Sequence, residues 1–352
     1  MKKGTVVEYV WYYEECKVKS KTNVFKKEIK CLEDIPIMTT VYDPNDRDEH
    51  YYADIPLVPV RLYPDPFKPG QWMALCELYR DFKLTKPFRI NKRAALVDFI
   101  KEIESEEPWV GFEQEFYFME PDGIIPLGWK ANAHVSRYEN YDFHSNVGAV
   151  NALGREIMED FLIKCDIAGV ELYGITAERS PSQWEYQTGP SEVLKGCDDL
   201  IMARYLVERC AEIKRVDVNL YPKINRVFDS SGLHANFSTK AMREEGGYKA
   251  IVEACERICQ NHLEDMKNYG EENKQRLIRN TSCPDYSECS YGDDDRAKAI
   301  RIPKKCVMNQ KGYLEDRRPT SNADPYLVML TLLKSALGKN EKKSQNKVNG
   351  SY

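Results

Sequence analysis

The 352-residue chain predicts an α+β fold in two unequal parts. Three observations carry that prediction. The first quarter of the chain is built from short β-branched and aromatic runs, with no helical stripe. Further on, apolar residues recur at helical spacing in several longer segments. Between the first helix and the others lies an aromatic strand, residues 109–118, that alternates with period two.

Taken in order, residues 5–12, 24–29 and 73–79 read as strands. Residues 42–53 are polar and turn-forming, opening on Asp43-Pro44-Asn45-Asp46. Pro64, Pro66 and Pro69 mark a loop before the last of these strands. A boundary falls near Lys86-Pro87, so residues 1–86 form a small sheet domain. Residues 90–103 then read as a helix. In the strand that follows, Phe112, Gln114, Phe116 and Phe118 face one way, and Glu113, Glu115 and Tyr117 the other. Residues 121–141 are loop-like. Residues 150–167 form a helix carrying Leu153, Ile157, Phe161, Leu162 and Cys165 on one stripe, ended by Gly169. Residues 200–213 and 248–266 read as two more helices. Asp324 and Pro325 open a last helix that Gly338 stops. Residues 87–338 thus make the larger domain. The polar, Lys/Asn-rich residues 339–352 are expected to be a disordered tail.

A net charge of −5, with basic residues spread evenly, argues against a nucleic-acid surface. No apolar run is long enough to span a bilayer, and residues 1–13 lack a signal-peptide pattern; the expectation is a soluble cytoplasmic protein with no membrane partner. The eleven cysteines include Cys255-x3-Cys259 and Cys283-x5-Cys289. Neither spacing suits zinc, so free thiols are expected.

Four constellations carry possible chemistry. Glu113 and Glu115 share a strand face about 6.5–7 Å apart. Buried, they repel unless a cation sits between them, so they read either as a site for hard divalent cations or as charges on an open face. Glu178 and Glu185 meet only if a turn at Ser180-Pro181 folds the segment back; otherwise they lie on a surface strand. His234, Asn236 and Ser238 share one face of an alternating run, and His234 alone reads as a hydrogen-bonded core histidine before it reads as a ligand. Glu315-Asp316-Arg317-Arg318, with Arg276, Arg296 and Arg301 upstream, reads as anion-binding forks or as a salt-bridged loop.

Together, Gly111-Phe112-Glu113-Gln114-Glu115, Ala177-Glu178 through Gln183-Trp184-Glu185-Tyr186-Gln187-Thr188-Gly189-Pro190, Gly232-Leu233-His234-Ala235-Asn236-Phe237-Ser238-Thr239-Lys240 and Gly312-Tyr313-Leu314-Glu315-Asp316-Arg317-Arg318-Pro319 resemble glutamine synthetase of the eukaryotic-like type II form. The likeness runs in order from about residue 108 to 328. It implies a β-grasp-like N-terminal sheet and a catalytic funnel of antiparallel strands with surrounding helices. It implies two or three Mg²⁺ or Mn²⁺ ions per site, with Glu115, Glu178 and Glu185 holding one and Glu113, His234 and Glu315 another. Arg276 and Arg317 match arginines that hold substrate carboxylates; Arg296 and Arg301 match those that brace the phosphates of ATP, the co-substrate. Arg296, Arg301 and Glu315 would be catalytic, and Asp229 and Ser230 would contact the amino-acid substrate. The implied reaction is phosphoryl transfer to a carboxylic acid, followed by displacement of phosphate by an amine. The implied assembly is a homo-oligomeric decamer of stacked rings, in which the aromatic residues 9–13 would supply buried contact surface.

Departures from the family pattern cluster on ammonium binding. Val41-Tyr42-Asp43-Pro44 stands at an Asp-Gly-Ser-Ser motif, Thr281-Ser282 at a His-Glu pair, and Asp229-Ser230 at an Asn-Gly pair. Ammonium needs carboxylates to bind it and take its proton. The leading expectation is therefore a ligase using an amine other than ammonia, with Asp43, Asp229 or the Asp293–Asp295 run as base. The alternatives are a true glutamine synthetase with acids displaced to Asp43 and Glu288, and a non-catalytic paralogue.

Overall fold

The computed structural model describes residues 4–13, 16–41, 54–129, 143–224, 229–278 and 284–340. Five strands come first: β1 (Thr5–Tyr12), β2 (Val18–Phe25), β3 (Met38–Val41), β4 (Asp54–Pro64) and β5 (Trp72–Leu78). They form one sheet in the order β2-β1-β5-β4-β3, with β1 parallel to β5 and the other pairs antiparallel. Val7, Tyr9, Trp11, Leu57, Ala74 and Cys76 pack one face with Ile29, Ile35, Phe88 and Ile90. Val10, Tyr63, Met73 and Leu75 project the other way, into the main core.

This sheet corrects three expectations. The second strand is Val18–Phe25, not residues 24–29, because its alternation is carried by exposed Lys, Ser and Thr paired to β1 rather than by buried residues. β4 was not anticipated, since Pro56, Pro59 and Pro64 argue against a strand; the sheet accommodates Pro59 at a register shift between Pro59 and Arg61. Within the aromatic run at residues 9–13, Tyr9 and Trp11 do not offer exposed contact surface: they are buried in the chain itself, at 0% and 4% exposed. The expected turn at residues 42–53 and the tail from residue 341 lie outside the described residues.

The second sheet holds β6 (Trp109–Met119), β7 (Leu172–Ala177), β8 (Gln183–Glu192), β9 (Asp217–Asn219), β10 (Leu233–Ser238), β11 (Tyr291–Asp293), β12 (Ile300–Ile302) and β13 (Leu314–Asp316). Its order is β11-β12-β13-β10-β6-β8-β7, with β9 also paired to β6. All pairs but β11–β12 are antiparallel. Phe112, Phe116 and Phe118 are wholly buried on the core face, as the alternation of β6 predicts. The helices are α1 (Lys92–Glu102), α2 (Arg155–Ala168), α3 (Val193–Ile213), α4 (Lys240–Arg243), α5 (Tyr248–Gln260), α6 (His262–Asp265), α7 (Asn273–Arg276), α8 (Lys304–Asn309) and α9 (Pro325–Ala336). The class is α+β, as expected.

The helix ends differ from the pattern for local reasons. α2 starts only at Arg155, because Gly154 sits at φ 88° with the Phe118 ring against it. α3 begins earlier than expected, directly after β8, and the helix expected at 248–266 breaks at Asn261. α9 opens as read: the Asp324 carboxylate accepts from the backbone N–H of Tyr326 and Leu327.

A buried ionic network ties the two sheets' surroundings together. Asp198 of α3 accepts from Arg61 of β4 at 2.8 Å, Arg93 of α1 at 2.8 Å and the Tyr326 hydroxyl at 2.8 Å. Arg93 also donates to Glu77 at 2.6 Å, and Tyr63 donates to Asp199 at 3.0 Å. The free-thiol expectation is corrected at one pair: Cys259, on α5, is bonded to Cys289, 30 residues on, with Cα atoms 5.0 Å apart. Spacing within neighbouring pairs could not show this, because the partners come from different elements. Among the described residues no helix is long and apolar enough to cross a membrane.

Candidate active site

Sheet register brings the acidic residues together. On β6, Glu113 lies opposite His234 of β10, and Glu115 opposite Glu185 of β8. On β13, Glu315 lies opposite Asn236 of β10 and Arg301 of β12. The β7–β8 hairpin turns at Ser180-Pro181, closed by Glu178 N–H to Gln183 O at 2.9 Å and Gln183 N–H to Ser180 O at 3.1 Å. That turn carries Glu178 to the same cleft as Glu185.

His234 Nδ1 lies 3.3 Å from Glu113 Oε2 and 3.4 Å from Glu315 Oε1. Potential ligand atoms of Glu113, His234 and Glu315 lie within 4.8 Å of one another, and so do those of Glu115, Glu185 and His234. The first set is the one the resemblance implied. The second has His234 in place of Glu178, which among the described residues falls in neither group. Asn236, on the same face of β10, donates to Glu113 Oε1 at 2.9 Å; its place two residues after His234 made it legible as part of the site.

The arginines close in from β12 (Arg301), from the residue after β13 (Arg317) and from α7 (Arg276). Arg317 donates to Glu315 Oε1 at 2.7 Å and Arg301 to Glu315 Oε2 at 3.0 Å. Arg301 also reaches Asp294 at 2.7 Å. Arg276 donates to the carbonyls of Arg317 and Arg318 and lies 3.3 Å from His234 Nε2. Gly232 permits that approach, since a Cβ there would come within 2.1 Å of Arg276 Nη2. A cleft of about 1090 Å³ is lined by Glu113, Glu115, Glu178, Glu185, His234, Arg276, Arg296 and Arg317, together with Asp229 and Ser230; Glu315 and Arg301 are not part of that lining. Of the expected bases, Asp229 lines the cleft, whereas Asp293 and Asp294 bond Tyr248 and Arg301. Asp43, Thr281 and Ser282 lie outside the described residues. His144 and Arg179 also line the cleft and were missed. Both sit in non-repetitive segments, where no periodicity points at a site.

The acids do not tolerate one another. Burial pushes the Glu178 carboxyl up to about 8, and Glu115 beside it adds to the rise. Burial also pushes Glu185 well above the usual carboxylate range, with Glu113, Glu115 and Glu178 reinforcing it. Glu113 alone goes the other way: burial raises it, but contact with His234 and Asn236 outweighs this and draws it to about 2. Burial and mutual repulsion thus favour the neutral form of Glu178 and Glu185, and a cation between the carboxylates would relieve the same repulsion. An oxygen-rich set of carboxylates with one imidazole fits hard divalent ions such as Mg²⁺ or Mn²⁺.

Carboxylates grouped with an imidazole, and arginines beside them, are the side-chain chemistry of a class of enzymes that work with a divalent metal and anionic groups. Residues 89–348 match the family described as glutamine synthetase, catalytic domain. Glutamine synthetase 1, mitochondrial, of Drosophila melanogaster is 37% identical over 329 residues, covering 91% of this chain and 80% of the relative. Glutamine synthetase of Tuber borchii is 35% identical over 339 residues, covering 96% and 93%. Glutamine synthetase cytosolic isozyme 1-1 of Oryza sativa subsp. japonica is 37% identical over 280 residues, 78% of each chain. The chain belongs to the glutamine synthetase family, and is an ATP-dependent carbon–nitrogen ligase.

Proposed function

We propose that this ligase activates a carboxylic acid, glutamate or an analogue, as its acyl phosphate and joins it to an amine other than ammonia. Glu115, Glu178 and Glu185 would hold one metal ion, and Glu113, His234 and Glu315 another. When bound, Mg²⁺ or Mn²⁺ neutralises charge on the transferring phosphoryl group. Arg276 and Arg317 hold the acid's carboxylates, while Arg296 and Arg301 brace the phosphates of ATP. Glu315 fixes Arg301 and Arg317 at 3.0 and 2.7 Å, so the phosphate and carboxylate clamps share one anchor. Asp229 and Ser230 face the organic substrates.

The observation that carries the choice of amine is Val41. An apolar side chain, 58% exposed at the end of β3, stands where the resemblance places an ammonium-binding acid. Without such an acid, ammonium loses charge-assisted hydrogen bonds worth about 1.5–3 kcal/mol each. An organic amine offsets that loss through apolar contact, at about 25 cal/mol per Å² buried. A second reading, glutamate with ammonia, is favoured by the names of the relatives above. The same proposal divides the chain near Lys86-Pro87, assembles it as a homo-oligomer, a decamer by resemblance, and places it in the cytoplasm. The test is a phosphate-release screen with Mg-ATP, crossing glutamate and other acids with ammonia, alkylamines, amino alcohols and amino acids. An organic amine in first place supports the proposal; ammonia in first place restores glutamine synthetase.

A further inference from the structure

The Arg301 guanidinium is held at both ends by carboxylates of different character. Nη1 donates to Glu315 Oε2 at 3.0 Å, and the Glu315 side chain is buried. Nη2 donates to Asp294 Oδ1 at 2.7 Å, and the Asp294 side chain is 42% exposed. Nε is buried and has no hydrogen-bond partner among the described residues, so the polar hold on the fork comes through the two Nη atoms. Glu315 has its own part in the metal set. Asp294 has none, and its turn is built to bring it to Arg301. β11 runs parallel to β12, with Gly292 opposite Arg301 and Asp293 opposite Ile302. The Asp294 N–H donates to Ile302 O at 2.8 Å. On one side of it Asp293 accepts from the Tyr248 hydroxyl at 2.7 Å; on the other Asp295 accepts from Ala297 N–H at 2.9 Å. Asp294 itself sits at φ 52°, a left-handed conformation that aspartate tolerates better than most residues.

An exposed ion pair of this kind adds little to stability. What it supplies here is order. Arginine has a flexible stem, and that freedom is lost when its fork must meet a phosphate. Arg301 is not part of the cleft lining, so a small error of aim takes it out of reach. With Glu315 alone the guanidinium pivots about Nη1; with Asp294 as well, its direction is set before a ligand arrives. Each Nη carries two protons, so each gives one to its carboxylate and keeps one for a phosphate oxygen. Repulsion between Asp294 and phosphate works the other way. Water and salt screen an exposed carboxylate, and Lys304 and Arg296 act on it electrostatically alongside Arg301. We infer that Asp294 is a positioning residue for ATP, holding the Arg301 guanidinium in the orientation that meets the phosphates. Arg296, two residues on, lines the cleft. One short turn thus presents one phosphate-bracing arginine and orients the other.

This inference rests on the reading that Arg301 braces the phosphates of ATP, and the test separates the two. Calorimetry on the full chain gives Kd for Mg-ATP, with adenosine, which carries no phosphate, as the control. Asp294→Gly removes the carboxylate and suits φ 52°. Its Kd for Mg-ATP should rise about tenfold, the scale of one charge-assisted hydrogen bond. Kd for adenosine should stay within about twofold, and the melting temperature should hold. Asp294→Asn keeps an acceptor oxygen and should recover part of the loss. In an Arg301→Lys background, where no fork is left to aim, Asp294→Gly should cost less than about twofold. Mg-ATP binding that is unchanged or tighter in Asp294→Gly, or a loss that persists in the Arg301→Lys background, overturns the role of Asp294. In either case, weaker Mg-ATP binding in Arg301→Lys alone leaves the underlying reading standing. Arg301→Lys binding Mg-ATP as tightly as the unmodified protein overturns both.

Discussion

Glu315 is where the demands on single residues are heaviest. It is 1% exposed, receives two arginines and lies 3.4 Å from His234. Removing the side chain altogether strands two guanidinium groups in a buried place, which is costly. Glu315→Gln keeps the shape and removes the charge. Phosphoryl transfer, read as acid-dependent ADP formation, is expected to fall by roughly 100- to 1,000-fold, the usual loss for one preorganised charge contact. The melting temperature should change little by comparison. Gly232 offers a second residue-scale test. A methyl group there comes within 2.1 Å of Arg276 Nη2, so Gly232→Ala must push the guanidinium aside. KM for the acid should rise about tenfold or more, the worth of one charged hydrogen bond, while KM for ATP stays within about twofold.

At the scale of elements, α9 is set by the capping residue just before it. Asp324 accepts from Tyr326 N–H at 2.9 Å and Leu327 N–H at 3.3 Å, and the helix buries Val328, Met329, Leu332 and Leu333. Asp324→Ala should lower stability by about 0.5–2 kcal/mol, read as a lower melting temperature with activity retained below it. This helix was legible because cap, proline and stop each leave a local mark. β6 was legible for the same kind of reason: alternation placed its phenylalanines in the core and its glutamates in the cleft. The hairpin at Ser180-Pro181 was legible as one of two alternatives, and pairing with β7 decides it. β2 and β4 were not legible. One is a polar hairpin strand defined by its partner, and the other carries prolines that a register shift absorbs. The Cys259–Cys289 bond, Arg179 and His144 depend on elements distant in sequence, and no local spacing encodes them.

For the whole molecule, the acid cluster links stability to pH and metal. Glu178 moves from the ordinary 4.5 up to about 8, led by burial and then by Glu115, and Glu185 moves in the same direction. Between these values the folded protein holds protons that the unfolded chain has lost. Stability of the metal-free protein should therefore fall as pH rises from about 5 to 8. Mn²⁺ binding displaces those protons, so the stabilisation it gives should grow over the same interval. Mn²⁺ with ATP at 100 times the dissociation constant should stabilise by about 2.7 kcal/mol. A melting temperature indifferent to both would speak against the proposed metal site. The central claim concerns the amine, and a competition in one vessel tests it most directly. Glutamate, Mg-ATP, ¹⁵N-ammonium and the best organic amine from the screen are mixed with the two amines equimolar, and the amide products are separated by mass. Their ratio equals the ratio of kcat/KM for the two nucleophiles. The account predicts that the amide of the organic amine dominates; ¹⁵N-labelled glutamine as the major product would contradict it.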